Sequence, residues 1–232
     1  MDNKQNGYYV PAGQRIGVHK LRQQSKHQRN GQNTHGNFAT AWLDHGTAPQ
    51  GGKYEYAILI GADPARMQKF TALMEYEEQA PYKVLQQDRN AHIVQDRETG
   101  ITAYALFEAN EAIQHGVVAA VDTPSMVMIR DTNEGLLLSA VDPDLRFYEG
   151  IDEEQYDQEG NFIGRFGPYD RPWRENESQK HTITLTLVGE WVLEKPGDAY
   201  RITAYKQGQT VLEIDSKDAM PVELQLLLKN AN

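Results

Sequence analysis

GNFATAWLDHGTAPQGGKYEYAILIGADP, residues 36–64, decides how the rest of the chain is read. Its first half, Asn37 to Asp44, sets Phe38, Thr40, Trp42 and Leu43 among small residues, a β-favouring mixture. Its second half, Lys53 to Ile60, puts Tyr54, Tyr56, Ile58 and Ile60 on one face and Glu55, Ala57 and Leu59 on the other. That alternation is the period of a strand. Gly46, Pro49, Gly51 and Gly52 between the halves mark a surface loop. After Gly61, Asp63-Pro64 offers a helix cap followed by proline at the first helical position. Strand, loop, strand and helix start are therefore expected in that order.

Outward from this stretch, the helix is expected over Asp63 to Glu78, with Met67, Phe70, Leu73 and Met74 on one face and Pro81 beyond its end. Upstream, Tyr8-Tyr9-Val10 reads as a short strand, Ile16 and Val18, with Leu21 after them, suggest another, and Gln23 to Gly36 reads as an exposed loop. Downstream, YKVLQQD, AHIVQDR, ITAYALFE, GVVAAVDT, SMVMIRDT and GLLLSAVDP follow one another at short turns. Strands at a spacing of roughly ten residues are those of an antiparallel sandwich. HTITLTLVGEWVLE, AYRITAYKQGQTVLEIDS and MPVELQLLL resume the pattern, with Thr182, Thr184 and Thr186 opposite Ile183, Leu185 and Leu187. Residues 146–180 break the rhythm. They are acidic, punctuated by Gly and Pro, and long enough to be an insertion; Gly160 to Gly164 offers a short hairpin inside them.

The bulk properties narrow the classes. With 232 residues the chain holds one large β-domain or two small ones. A net charge of −10 argues against nucleic-acid partners and against anionic membranes. The absence of cysteine excludes disulfides, thiolate catalysis and cysteine zinc sites. The N-terminal MDNKQNGYY lacks the apolar core of a signal peptide, and no apolar run approaches a membrane span. His92, His115 and His181 stand singly, with no HxH or HExxH spacing, and there is neither a GxSxG nor a phosphate loop. No metal and no cofactor are expected. The acids Asp152, Glu153, Glu154, Asp157 and Glu159 do not keep the spacing of a calcium loop and read as a solvated charge run.

The run AWLDHGTAPQGGKYEYAILIGADPARM, with Gly7-Tyr8 before it and YKVLQQDRNAHIVQD and SAVDPDL after it, resembles polysaccharide lyase family 8, in its chondroitin sulfate ABC lyase branch. The resemblance implies an all-β fold, an antiparallel β-sandwich in two parts with one short helix. Residues 1–80 would be the end of a large central β-sandwich. Residues 81–232 would be a smaller C-terminal β-sandwich, with 146–180 inserted. It implies a parent enzyme, extracellular or periplasmic, that cleaves chondroitin- or dermatan-type glycosaminoglycans by β-elimination beside a uronic acid. Family members draw Asn, His, Tyr and Arg from a preceding helical domain, and an acidic residue from early in the β-region. No residue here matches those positions, so no catalytic residue is assigned and the chain alone is expected to be inactive. Its partners would be an acidic polysaccharide and the missing helical domain. The rival readings are a free-standing carbohydrate-binding module and a structural remnant.

Between Asp2 and Asp44 there is no acidic residue, while Lys4, Arg15, Lys20, Arg22, Lys26 and Arg29 are cationic. The plain reading comes first: a solvated loop, basic by composition. The sharper reading is an anion-binding strip of Arg15, Lys20, Arg22, Lys26 and Arg29 for a sulfated or carboxylated glycan. Asp44-His45 reads as a structural strand end. Among the tryptophans, Trp42 and Trp191 are expected in the core, and Trp173 is the candidate for stacking on a sugar ring.

Overall fold

The computed structural model describes residues 1–144, 153–166 and 179–229. The described residues are mostly β with a single α-helix, and the chain divides into two compact units, Met1–Gln79 and Ala80–Asn232. Trp173, and most of the 146–180 stretch, lie outside the described residues.

The first unit holds β1 (Gly7–Tyr9), β2 (Ile16–Lys26), β3 (Asn33–Leu43), β4 (Ala57–Leu59) and α1 (Pro64–Met74). Asp63 caps the helix as its sequence requires: its Oδ1 accepts a hydrogen bond from the Arg66 N–H at 2.7 Å, and Pro64 follows. Met67, Phe70, Leu73 and Met74 are the half-buried residues of α1, so its apolar face is the expected one. Phe70 meets Tyr9 edge-on at 5.4 Å, and Met67 fills the space over Gly7, where a Cβ would lie 2.0 Å from Sδ. The helix thus lies on the two-stranded β1–β4 sheet, in which Gly7 pairs with Leu59. Of Lys53 to Ile60 only Ala57–Leu59 pairs as strand. Ahead of it, Gln14 grips the Glu55 backbone twice, donating to its carbonyl and accepting from its N–H, both at 2.8 Å.

Gln23 to Gly36 is not a loop. β2 and β3 form one long hairpin, paired without a break from Ile16–Leu43 to Lys26–Asn33, with the turn between them. Its tip is polar on both faces, so no one-sided alternation announces it, yet the backbone ladder runs on because cross-strand bonds need no apolar side chain.

The second unit is a two-layer sandwich of antiparallel ladders. One sheet has the order β14 (Trp191–Leu193), β17 (Val222–Leu228), β10 (Gly135–Val141), β9 (Ser125–Thr132), β7 (Ile101–Leu106), β6 (Ala91–Asp96), β5 (Tyr82–Gln87). The other has β15 (Tyr200–Lys206), β16 (Gln209–Ser216), β13 (His181–Val188), β8 (Val118–Val121). Alternation sets the layers. On β9 Ser125, Val127 and Ile129 are buried while Met126, Met128 and Arg130 face out. Ile183, Leu185 and Leu187 of β13 and Leu212 and Ile214 of β16 meet Ile93, Tyr104, Leu136, Leu138 and Leu226 in one core. Each such fully buried aliphatic side chain contributes about 1.5–3 kcal/mol of transfer free energy. HTITLTLVGEWVLE supplies two strands in opposite sheets. The chain turns the corner at Gly189, φ +96°, where the Trp191 indole N–H donates to the Val188 carbonyl at 2.7 Å.

A short hairpin, β11 (Glu153–Tyr156) with β12 (Phe162–Phe166), stands within the 146–180 stretch. Its turn is Asp157 to Gly160 rather than Gly160 to Gly164. Asp157 Oδ1 accepts from the N–H groups of Glu159 and Asn161, which fixes the turn. Among the described residues no helix is long and apolar enough to cross a membrane.

Candidate functional site

Residues directly opposite each other in an antiparallel ladder share a face. The β2–β3 register therefore sorts the cationic segment. Lys20 opposes Ala39, Arg22 opposes Asn37, Gln24 opposes His35, and Lys26 opposes Asn33. Lys20, Arg22 and Lys26 stand on one face, in even positions of the same strand. Six residues of strand set Lys20 and Lys26 about 20 Å apart. Arg15 lies just before β2, where its carbonyl accepts the Asp44 N–H at 2.8 Å. Arg29 lies in the turn, its N–H donating to His27 Nδ1 at 3.3 Å. All five side chains are exposed, and among the described residues no carboxylate pairs with any of them. The fold thus brings Lys20, Arg22 and Lys26 onto one face and leaves Arg15 and Arg29 at its two ends.

The opposite face carries Trp42, His19, Leu21 and Phe38 towards the open end of the hairpin and Gln23, Ser25 and Thr34 towards its tip. Trp42 lies over Gly17, where a Cβ would sit 2.3 Å from the indole, and His19 meets it edge-on at 4.6 Å. Leu21 opposes Phe38 on the same face. Trp42 is 42% exposed, so its expected place in a core is not met within this unit. Trp191, in contrast, packs against the core of the second unit. Asp44 does serve the strand end, its Oδ1 accepting from the Gly46 N–H at 2.8 Å, while His45 leans on Tyr54.

One polar cluster was not legible from the chain order. His181 Nδ1 lies 2.8 Å from Asp142 Oδ2, and the Asp142 N–H donates to Ser216 Oγ at 3.0 Å. The Asp142 carboxylate is 3% exposed and the His181 side chain 33%. Asp142 follows β10, and His181 and Ser216 belong to β13 and β16, so the cluster ties the two sheets together at one end. Ser216 Oγ accepts from a backbone N–H and is buried, which makes this a structural tie rather than a nucleophile with its base. Beside it, Asp215 accepts from Thr182 Oγ1 at 2.7 Å and from Lys180 Nζ at 3.0 Å, with Arg201 at 3.5 Å. The Thr182 bond first, and then Lys180, hold its carboxyl below the ordinary carboxylate range. His92 stacks edge-on against Phe107. Among the described residues no cluster of three His, Cys, Asp or Glu is placed to hold a metal ion.

Residues 1–71 match the family model for the super-sandwich domain of polysaccharide lyase family 8, and residues 83–145 the model for that family's C-terminal beta-sandwich domain. The chain is 38% identical over 229 residues to a chondroitin sulfate ABC exolyase of Bacteroides thetaiotaomicron, a match covering 97% of this chain and 22% of that protein. It is 36% identical over 197 residues to a chondroitin sulfate ABC exolyase of Proteus vulgaris, covering 84% of this chain and 19% of the relative. The chain therefore spans about a fifth of the length of these curated relatives. Among solved structures, the chondroitin AC lyase of Streptomyces coelicolor A3 in complex with chondroitin sulphate superposes with a TM-score of 0.65 at 16% identity. That match covers 99% of this chain and 27% of the other, and at this identity it speaks for the fold alone.

Proposed function

Because this chain belongs to polysaccharide lyase family 8, we propose that it is the non-catalytic C-terminal β-portion of an exported lyase that cleaves chondroitin- or dermatan-sulfate-type glycans, and that the β2–β3 hairpin holds glycan for that lyase. In the reaction, the C–H bond beside a uronate carboxylate breaks, its electron pair forms a double bond to the next ring carbon, and the glycosidic oxygen leaves with a proton. That chemistry needs a base, an acid and a group that neutralises the carboxylate. No such set assembles among the described residues, so the work falls to the helical domain of the parent. In this reading residues 1–80 end the central sandwich and 81–232 form the C-terminal one. The Trp42, Phe38 and Leu21 face of the hairpin is the side the rest of the central sandwich covers, which leaves the opposite face to solvent.

The observation that carries the proposal is the acid-free face of Lys20, Arg22 and Lys26. On a chain of net charge −10 it is a local field of the other sign. Arginine forks and lysine ammonium groups suit sulfate and carboxylate oxygens. Binding of chondroitin sulfate should weaken steeply with salt, since exposed pairs are screened within about 10 Å at 0.1 M ionic strength. Replacing Arg22, Lys26 and Arg29 together by Ala should cost about tenfold in affinity, taking roughly 0.5 kcal/mol for each exposed contact. Calorimetry at low salt measures this; unchanged binding refutes the site. Ultraviolet absorbance of unsaturated product should stay flat when the chain alone meets chondroitin sulfate, dermatan sulfate or hyaluronan. Steady product formation would assign it a catalytic site of its own. A free-standing carbohydrate-binding module is the second reading. The same hairpin face favours it, and binding that is unaltered by adding the parent's helical domain would support it.

A further inference from the structure

We infer that the neighbouring column of the hairpin, Asn33, His35 and Asn37 on β3 together with Gln24 on β2, is the part of this surface that tells a uronate–N-acetylhexosamine glycan from other polyanions. This rests on the reading of the hairpin as a glycan site and adds to it a division of labour. The ladder places Asn37 opposite Arg22, His35 opposite Gln24 and Asn33 opposite Lys26, so each faces the same way as the cations. All four side chains are exposed, and no described residue takes a hydrogen bond from them or gives one to them. Other polar side chains of the hairpin are committed internally: Gln23 donates to Thr40 Oγ1 at 2.7 Å and Thr34 donates to the Ser25 carbonyl at 3.0 Å. Those residues stand on the other face. The uncommitted amides of the two strands are therefore confined to the cationic face, with His35 beside them, while the imidazole of the other face, His19, packs against Trp42.

Charge contacts follow the number of anions and are indifferent to the rest of the polymer. Neutral donors and acceptors aimed at fixed positions reject a ligand that lacks the matching group. A glycosaminoglycan of uronate and N-acetylhexosamine carries hydroxyl and acetamido groups between its anions, and an amide presents both a donor and an acceptor to such groups. A strip of two columns about 4.5–5.5 Å apart, one cationic and one amide-rich, reads both kinds of group along one extended chain.

The test compares chondroitin sulfate with dextran sulfate, a polyanion without carboxylate or acetamido groups, on the full chain across a salt series. Asn33→Ala with Asn37→Ala should weaken chondroitin sulfate binding about tenfold, as expected for two neutral hydrogen bonds. The same pair should leave dextran sulfate affinity and both salt slopes unchanged, and retained dextran sulfate binding shows that the hairpin is still folded. Lys20→Ala with Arg22→Ala should weaken both polymers and flatten both slopes. Equal loss for the two polymers in the asparagine variant, or no loss for either, overturns the inference while the glycan site stands. Binding of neither polymer by the unaltered chain overturns the glycan site and this inference with it.

Discussion

Gly135→Ala is a sharp test of the sandwich. Gly135 opens β10 at φ +147°, beside β17, and Thr132 Oγ1 both accepts its N–H at 3.1 Å and donates to its carbonyl at 2.8 Å. A Cβ there would lie 2.0 Å from the Leu226 carbonyl oxygen and 3.1 Å from the Leu227 Cα. Carbon–oxygen contacts settle near 3.3 Å, so β17 has to retreat by about 1 Å. The retreat falls on the pairs Gly135–Leu227 and Leu136–Leu226, and Leu136 and Leu226 are core residues. The left-handed backbone costs an alanine about 1–3 kcal/mol. One or two weakened backbone hydrogen bonds add about 1 kcal/mol each. The total, about 2–5 kcal/mol, lowers the melting temperature by roughly 5–15 °C for a unit of this size. Gly208→Ala is the control: φ is +74°, but nothing lies within 4 Å of the new Cβ. It carries the backbone strain without the collision, about 1 kcal/mol. Thermal unfolding followed by circular dichroism gives both values. If the two variants melt within about 3 °C of each other, β17 does not approach Gly135 as described.

His181→Ala leaves the buried Asp142 carboxylate without its imidazole partner and should cost about 1–3 kcal/mol, seen as a lower urea midpoint; a midpoint equal to the parent's would remove the inter-sheet tie. Asp142→Asn should cost less, because an amide oxygen still accepts from His181. Asp215 has a folded carboxyl value below its unfolded one. Its contribution is present in full above about pH 4 and is lost as the pH falls through the depressed value. The difference in melting temperature between the parent and Asp215→Asn should therefore shrink from pH 6 towards pH 2. A difference that holds constant would show that the Thr182 and Lys180 contacts do not favour the ionised form.

What the sequence made legible follows from which signals are local. Asp63-Pro64 announced α1 because a cap is decided within four residues. β9 and β13 announced themselves because burying one face imposes a period of two. The cationic segment was visible by charge, but its hairpin was not: Gln23 to Gly36 is exposed throughout or nearly so, and an unburied strand leaves no alternation to read. Without the register, His35 and the asparagines could not be set beside Arg22 and Lys26. The Asp142–His181 pair joins positions 39 apart in the chain and has no spacing to betray it. Trp42 was expected inside because tryptophan in a strand usually is. Here Gly17 and His19 lie against the indole, and the first unit still leaves it 42% exposed.

The place of β17 has a consequence for synthesis. It lies between β10 and β14, and Gly135 pairs with Leu227, so the seven-stranded sheet is closed by a strand made long after most of its partners. Until Val222 to Leu228 leave the ribosome, both β10 and β14 present open edges, bare templates for pairing with another chain. Contacts this distant in sequence form slowly. The nascent chain thus passes through a stage in which β10 is paired on its β9 side alone and β14 lacks its neighbour in the sheet. Chaperone dependence and aggregation during expression should track the rate at which Val222 to Leu228 arrive.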